Sequence, residues 1–135
     1  MYCFDTDTVS AMVWQRPPLP LVRRLARTPT AEQCTTAITV AELLYGSARR
    51  GSPRLHDALS RILAEALPVM PFDRLAAERF AALRHELETA GTPLGLADLQ
   101  IAATALACDH TLVTGNLRHF ERVPGLRVEN WLTDA

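Results

Sequence analysis

The amino-acid sequence predicts an α/β fold: a three-layer α/β/α sandwich around a central, mostly parallel sheet. Three observations carry that expectation. Short apolar or β-branched runs alternate along the whole chain with longer segments whose apolar residues recur at helical spacing. Strands that alternate with helices are joined by right-handed crossovers, so neighbouring strands run parallel and helices cover both faces. With 135 residues, the chain has the length of one domain, expected to span 1–135, and enough material for one sizeable core.

The elements follow in order. Tyr2-Cys3-Phe4 is an apolar strand that stops at Asp5, and Val9, Met12 and Val13 mark a helix starting near Thr8, with Asp7 as its simplest N-cap. Gln15 to Pro20 is a stiff, proline-rich loop. Leu21, Val22 and Leu25 form one face of a short helix, with Arg23, Arg24 and Arg27 on the other. Cys34 to Ile38 is threonine-rich and β-branched, which predicts a second strand. A helix from Thr39 to about Arg49 turns Val40, Leu43 and Leu44 inward, and Gly51-Ser52-Pro53 breaks it. Leu55, Leu59, Ile62, Leu63 and Leu67 define the next amphipathic helix, and Val69 to Phe72 is a short extended piece. Asp73 caps a long helix with Ala76, Phe80, Leu83 and Leu87 inside, which Gly91 to Gly95 ends as a loop. Asp98 to Cys108 is apolar almost all round, the mark of a helix buried on most sides. Thr111 to Thr114 enters the core as a strand, Leu117 to Phe120 is a helical turn, Leu126 to Val128 is a last edge strand, and Trp131 packs near the end.

Composition excludes some classes. No apolar run approaches a membrane span, and the N-terminus has no basic region ahead of an apolar stretch, so a cytoplasmic protein without membrane contact is expected. Cys3, Cys34 and Cys108 are odd in number, lack zinc-ligand spacing and sit in apolar segments, as buried free thiols do. The net charge is -1, and all 14 basic residues are arginine, which suits bidentate phosphate contact but also follows from codon bias alone.

The acidic residues are more informative. Asp5 and Asn116 follow strands, while Glu42 and Asp98 lie near helix starts. Each has a plain local explanation. Thr39-Val40-Ala41-Glu42 fits a capping box, Asp98 suits an N-cap or a helix dipole, and Asp5 and Asn116 suit turns. In a parallel sheet, however, strand ends and the following helix starts share one edge. That edge gathers three carboxylates and an amide. Carboxylates without basic partners repel one another, and a hard divalent cation relieves the repulsion. Magnesium fits because it takes oxygen ligands and is completed by waters and substrate phosphates. The chemistry implied is phosphodiester hydrolysis.

Asp5-Thr6 after a strand, Glu42-Leu43-Leu44-Tyr45-Gly46, Asp98-Leu99-Gln100-Ile101-Ala102-Ala103 and Val113-Thr114-Gly115-Asn116 resemble the four ordered motifs of PIN-domain ribonucleases. The resemblance is to the VapC toxins of bacterial toxin–antitoxin pairs and extends through the tail Phe120 to Leu126. It implies a magnesium- or manganese-dependent endoribonuclease that cuts structured RNA, often transfer or ribosomal RNA. It also implies a homodimer held inactive by a VapB-like antitoxin whose C-terminal segment enters the active groove. Asp5, Glu42 and Asp98 carry over as metal ligands, and Asn116 stands where many relatives have a fourth acid, with an acceptor oxygen but no charge. Thr6 and Thr114 flank the acids and are expected to orient them through their hydroxyls.

Arg16, Arg23, Arg24, Arg27, Arg49, Arg50 and Arg118 are the candidates for holding an RNA backbone, against a solubilising role for each. His119 is expected to be an exposed turn histidine. Two rivals remain at this level. With Asn116 in place of an acid, the domain could bind RNA or a partner without cutting. Phe4 to Val9 also resembles the opening motif of haloacid-dehalogenase-type phosphatases, although these need a distant lysine and this chain has none.

Overall fold

A computed structural model describes residues 1–134. Five strands, β1 (Tyr2–Phe4), β2 (Gln33–Thr36), β3 (Val69–Met70), β4 (Thr111–Val113) and β5 (Val128–Glu129), form one sheet in the order β3-β2-β1-β4-β5. Every pairing is parallel, and Cys3 stands opposite both Cys34 and Leu112. Between the strands lie α1 (Thr6–Met12), α2 (Leu19–Arg27), α3 (Ala37–Arg50), α4 (Pro53–Glu65), α5 (Arg74–Thr89), α6 (Leu96–Ala107) and the single turn α7 (Leu117–Phe120).

The two-residue period of the strands sorts their side chains into two cores. Cys3, Cys34 and Leu112 face one way, onto Leu83 and Leu87 of α5 and Leu99, Ile101, Ala102 and Ala105 of α6. Phe4 and Val113 face the other way, onto Val9 and Ala11 of α1, Leu21 of α2, Leu43 of α3 and Leu59 of α4. The result is the expected α/β/α sandwich. Phe4, Phe120, Leu21 and Leu59 are fully buried, each worth about 2 to 3 kcal/mol of apolar transfer. The predicted all-round burial of α6 is observed, with Ala102, Ala103 and Ala105 fully enclosed. Trp131 returns the tail to the sheet, meeting Phe4 edge-on at 5.2 Å, while the Arg24 guanidinium lies 4.7 Å over its ring. Cys3 and Cys34 are buried free thiols, and Cys108 is a free thiol only half-buried. Among the described residues no helix is long and apolar enough to cross a membrane.

Several boundaries differ from the sequence expectation, for local reasons. Asp5, not Asp7, is the N-cap of α1: its Oδ1 accepts the Thr8 N–H at 3.2 Å, so the helix begins directly at Thr6. Thr36 caps α3 by accepting the Thr39 N–H at 3.0 Å, which ends β2 before Ile38 and removes the capping-box explanation of Glu42. Gly95 occupies the N-cap position of α6, leaving Asp98 in the first turn. Leu44 faces outward beside the exposed Tyr45, and Val22 is also exposed. Helix α2 starts at Leu19 because Pro20 fits its first turn. The last strand lies at Val128–Glu129, later than expected. Asp73 caps α5 as predicted, accepting the Ala76 N–H at 3.0 Å.

Candidate active site

The sheet order creates the site. Strand β1 is central. The chain leaves it toward β2 on one side and returns as β4 on the other, so a crevice opens outside the carboxyl ends of β1 and β4, where parallel α/β sheets bind ligands. Asp5 emerges there as the residue after β1, and its N–H is tied to the Val113 carbonyl of β4 at 3.1 Å. A cavity of ≈ 400 Å³ lies over this edge, and its lining includes Asp5, Thr6, Asp7, Glu42, Asp98 and Asn116. Residues spread over more than a hundred positions of sequence thus line one cavity.

Each acid is placed by a different element. Asp5 is only 5% exposed. Burial, and next to it the hydrogen bond and repulsion with the Asp7 carboxyl, push its acid up from the ordinary 3.8 to about 8, while bonds from the Thr114 hydroxyl and Thr8 N–H pull it down. Glu42 projects from the second turn of α3 and accepts a hydrogen bond from the Thr6 hydroxyl. Asp98 sits in the first turn of α6. Asn116 follows β4, its N–H bonded to the Thr114 hydroxyl at 3.0 Å. The Thr6 hydroxyl thus contacts Glu42, and the Thr114 hydroxyl contacts Asp5 and the Asn116 N–H.

Two further residues stand at the site: Asp7, which the sequence suggested as an N-cap, and His119, exposed on its turn as expected. Asp7 meets Asp5 directly, its Oδ2 accepts the Gly115 N–H at 3.0 Å, and its Oδ1 is buried with no hydrogen-bond partner. His119 reaches back from α7 to the cluster: its Nδ1 lies 2.7 Å from Asn116 Nδ2 and 3.4 Å from Asp98 Oδ2. The spacing Asn116-x-x-His119 across a helical turn is a sequence feature that could have placed it there.

Whether this set suits a divalent cation can be judged from the donors. They are carboxylate oxygens and an amide, the chemistry that magnesium and manganese take. None of Asp5, Asp7 and Glu42 belongs to an ion pair among the described residues, and one buried carboxylate oxygen has nothing to bind. The donor set fits. The side chains are not drawn fully together: among the described residues, no three His, Cys, Asp or Glu groups stand close enough to enclose an ion. Glu42 is exposed and held by the Thr6 hydroxyl, while the Asp98 side chain is 35% exposed and has room to turn inward.

The remaining cavity wall is mostly apolar, formed by Leu43, Leu55, Leu59, Ile101 and Phe120, with Ser10 from α1 and Gly46 and Arg50 from α3. Of the seven candidate arginines, Arg50 lines this cavity. Arg118 is exposed on α7, Arg49 is exposed on α3, Arg23 and Arg27 are exposed on α2, and Arg16 is exposed in the loop before it. Arg24 is held by Glu129 at 3.0 Å and by Trp131.

A family model described as the PIN domain matches residues 2–126 of this chain. The chain is 34% identical over 130 residues to the tRNA(fMet)-specific endonuclease VapC of Salmonella typhimurium, covering 96% of this chain and 97% of that protein. It is 34% identical over 131 residues to the Ribonuclease VapC2 of Haemophilus influenzae strain Rd, covering 97% and 98%. Its fold superposes with a TM-score of 0.85 on a chain from the crystal structure of VapBC2 from Rickettsia felis bound to a DNA fragment from their promoter, with 29% identity and coverage of 96% and 98%.

Proposed function

The chain belongs to the PIN-domain family, among its VapC-type ribonuclease toxins, and from that premise we propose that it is a metal-dependent endoribonuclease that cuts structured RNA. One observation carries the reading: Asp5, Glu42, Asp98 and Asn116, from four separate segments, line a single cavity at the carboxyl edge of the sheet. Asp5, Glu42 and Asp98 would hold magnesium, with manganese as a substitute. When bound, the ion activates a water and neutralises charge building on the phosphate oxygens. The chain's own residues do the positioning. Thr6 fixes Glu42, and Thr114 bonds both Asp5 and the Asn116 backbone. Arg50, which lines the cavity, would grip a flanking phosphate by its planar fork. The apolar wall of Leu55, Leu59, Ile101 and Phe120 restricts water around the reacting phosphate.

Transfer RNA is the first substrate to try, because the Salmonella relative is named for it. A VapB-like antitoxin is the protein partner proposed, supported by the Rickettsia structure of a VapBC assembly, and a homodimeric state is proposed with it from the resemblance alone. The exposed Leu44 and Tyr45, on the same helix as Glu42, offer apolar surface for such a partner. The test is cleavage of total transfer RNA with magnesium by the intact protein and by Asp98→Asn. Cleavage by the intact protein alone, abolished by chelator, is the expected result. Equal cleavage by both proteins would overturn the assignment.

A further inference from the structure

We propose that Asp7 is an additional carboxylate donor of the cation site, presenting Oδ1 to the ion and supplying the negative charge that Asn116 lacks. The inference rests on the metal-dependent reading of the site above and extends it to a residue that the family resemblance does not name. Asp7 has one oxygen secured and one free. Oδ2 accepts the Gly115 N–H at 3.0 Å, which fixes the carboxylate from the loop after β4. Oδ1 is buried without a partner, although an unsatisfied buried carboxylate oxygen is costly and rare. A carboxylate that binds a cation through one oxygen commonly has the other held by a protein donor, which sets its direction.

The loop is shaped around this contact. A Cβ at Gly115 would stand 2.6 Å from Asp7 Oδ2 and 2.7 Å from Leu132 Cδ1, so glycine allows the backbone to come this close. Asp7 also lies against Asp5, and neither is in an ion pair among the described residues. Two touching carboxyl groups on one cavity wall, with the orphan oxygen beside them, form a pair that a dication would hold together. The competing role is a strut that ties α1 to the β4–α7 turn. A strut needs Oδ2 only, and leaves Oδ1 with no donor besides the protonated Asp5 carboxyl, a proton that a cation would displace.

The Asp7→Asn variant separates the two roles. Its amide oxygen can still accept the Gly115 N–H, but the charge is gone and an NH2 group replaces the free oxygen. Manganese is titrated calorimetrically into metal-stripped protein, with circular dichroism to check the fold. Asp7→Asn is expected to weaken manganese binding about tenfold or more, and adding Asn116→Asp to it is expected to restore most of the loss. Binding within twofold of the intact protein, while Asp5→Asn abolishes it, would overturn the proposal and leave the cation site standing. Unchanged binding in Asp5→Asn, Glu42→Gln and Asp98→Asn as well would overturn both. Should Asp7→Asn fold poorly, manganese-soaked crystals of the intact protein decide: an anomalous peak within bonding distance of Asp7 Oδ1 is expected, and a peak on Asp5 and Asp98 with that oxygen out of reach would overturn it.

Discussion

Asp5 should make the metal-free protein less stable than it could be, and Asp5→Asn should reveal it. In the folded chain burial and the Asp7 carboxyl raise this acid from the ordinary 3.8 to about 8. The folded state therefore keeps a proton that the unfolded chain releases above pH 4. Because the native state binds more protons, stability falls as pH rises from about 4 and levels off above about 8. The span sets a ceiling of about 6 kcal/mol on the loss at pH 8 and above. Relaxation of the carboxyl pair lowers this, and roughly 2 to 4 kcal/mol is expected at pH 8. Asparagine keeps the shape and the acceptor for the Thr8 N–H, so the helix cap survives. Its amide can also donate to Asp7, keeping the hydrogen bond at every pH without the repulsion that ionised Asp5 brings. Urea denaturation in chelator, from pH 4.5 to 8.5, measures the difference. The variant should exceed the intact protein by that margin at pH 8, converge with it near pH 4.5, and gain nothing from magnesium. A variant less stable than the intact protein at pH 8 would refute the argument that Asp5 is held as an unfavourable buried charge.

Other outcomes follow from the same geometry. Glu42→Gln and Asp98→Asn should lower RNA cleavage by roughly a hundredfold or more with unchanged melting, because Thr36 and Gly95 occupy the N-cap positions of their helices; a collapse in melting temperature would return either acid to a structural role. Gly46→Leu should fold normally, since a Cβ there meets nothing within 4 Å, yet should raise KM by filling the cavity wall; an unchanged KM would show that RNA does not use this space. Asn116→Asp should keep or raise cleavage, whereas a sharp loss would show that the amide's contact with His119 is needed.

The fold was legible in the sequence because alternation of short strands and amphipathic helices leaves few topologies. That Asp5, Glu42, Asp98 and Asn116 line one cavity was legible because strand ends and helix starts share an edge. Asp7 was misread for a physical reason: an aspartate two residues past a strand satisfies the N-cap pattern as well as Asp5 does, and only the Thr8 N–H decides between them. Likewise, Thr35, Thr36 and Thr39 offer competing caps, and the β-branched Ile38 extends the apparent strand. Leu44 shows the limit of periodicity. Its spacing from Val40 reads as inward, but α3 presents Leu43 and Ser47 to the interior and leaves Leu44 on the surface. The approach of His119 to Asp98 depends on how α7 meets α6, which the spacing between the two residues does not encode.

The most direct test of the account is calorimetric titration of manganese into metal-stripped protein and into its Glu42→Gln variant at the same pH. Saturable binding to the intact chain, lost or greatly weakened when one remote carboxylate becomes an amide, is the predicted result. Equal binding by the two proteins, or none by either, would contradict the claim that these acids bind one cation in common.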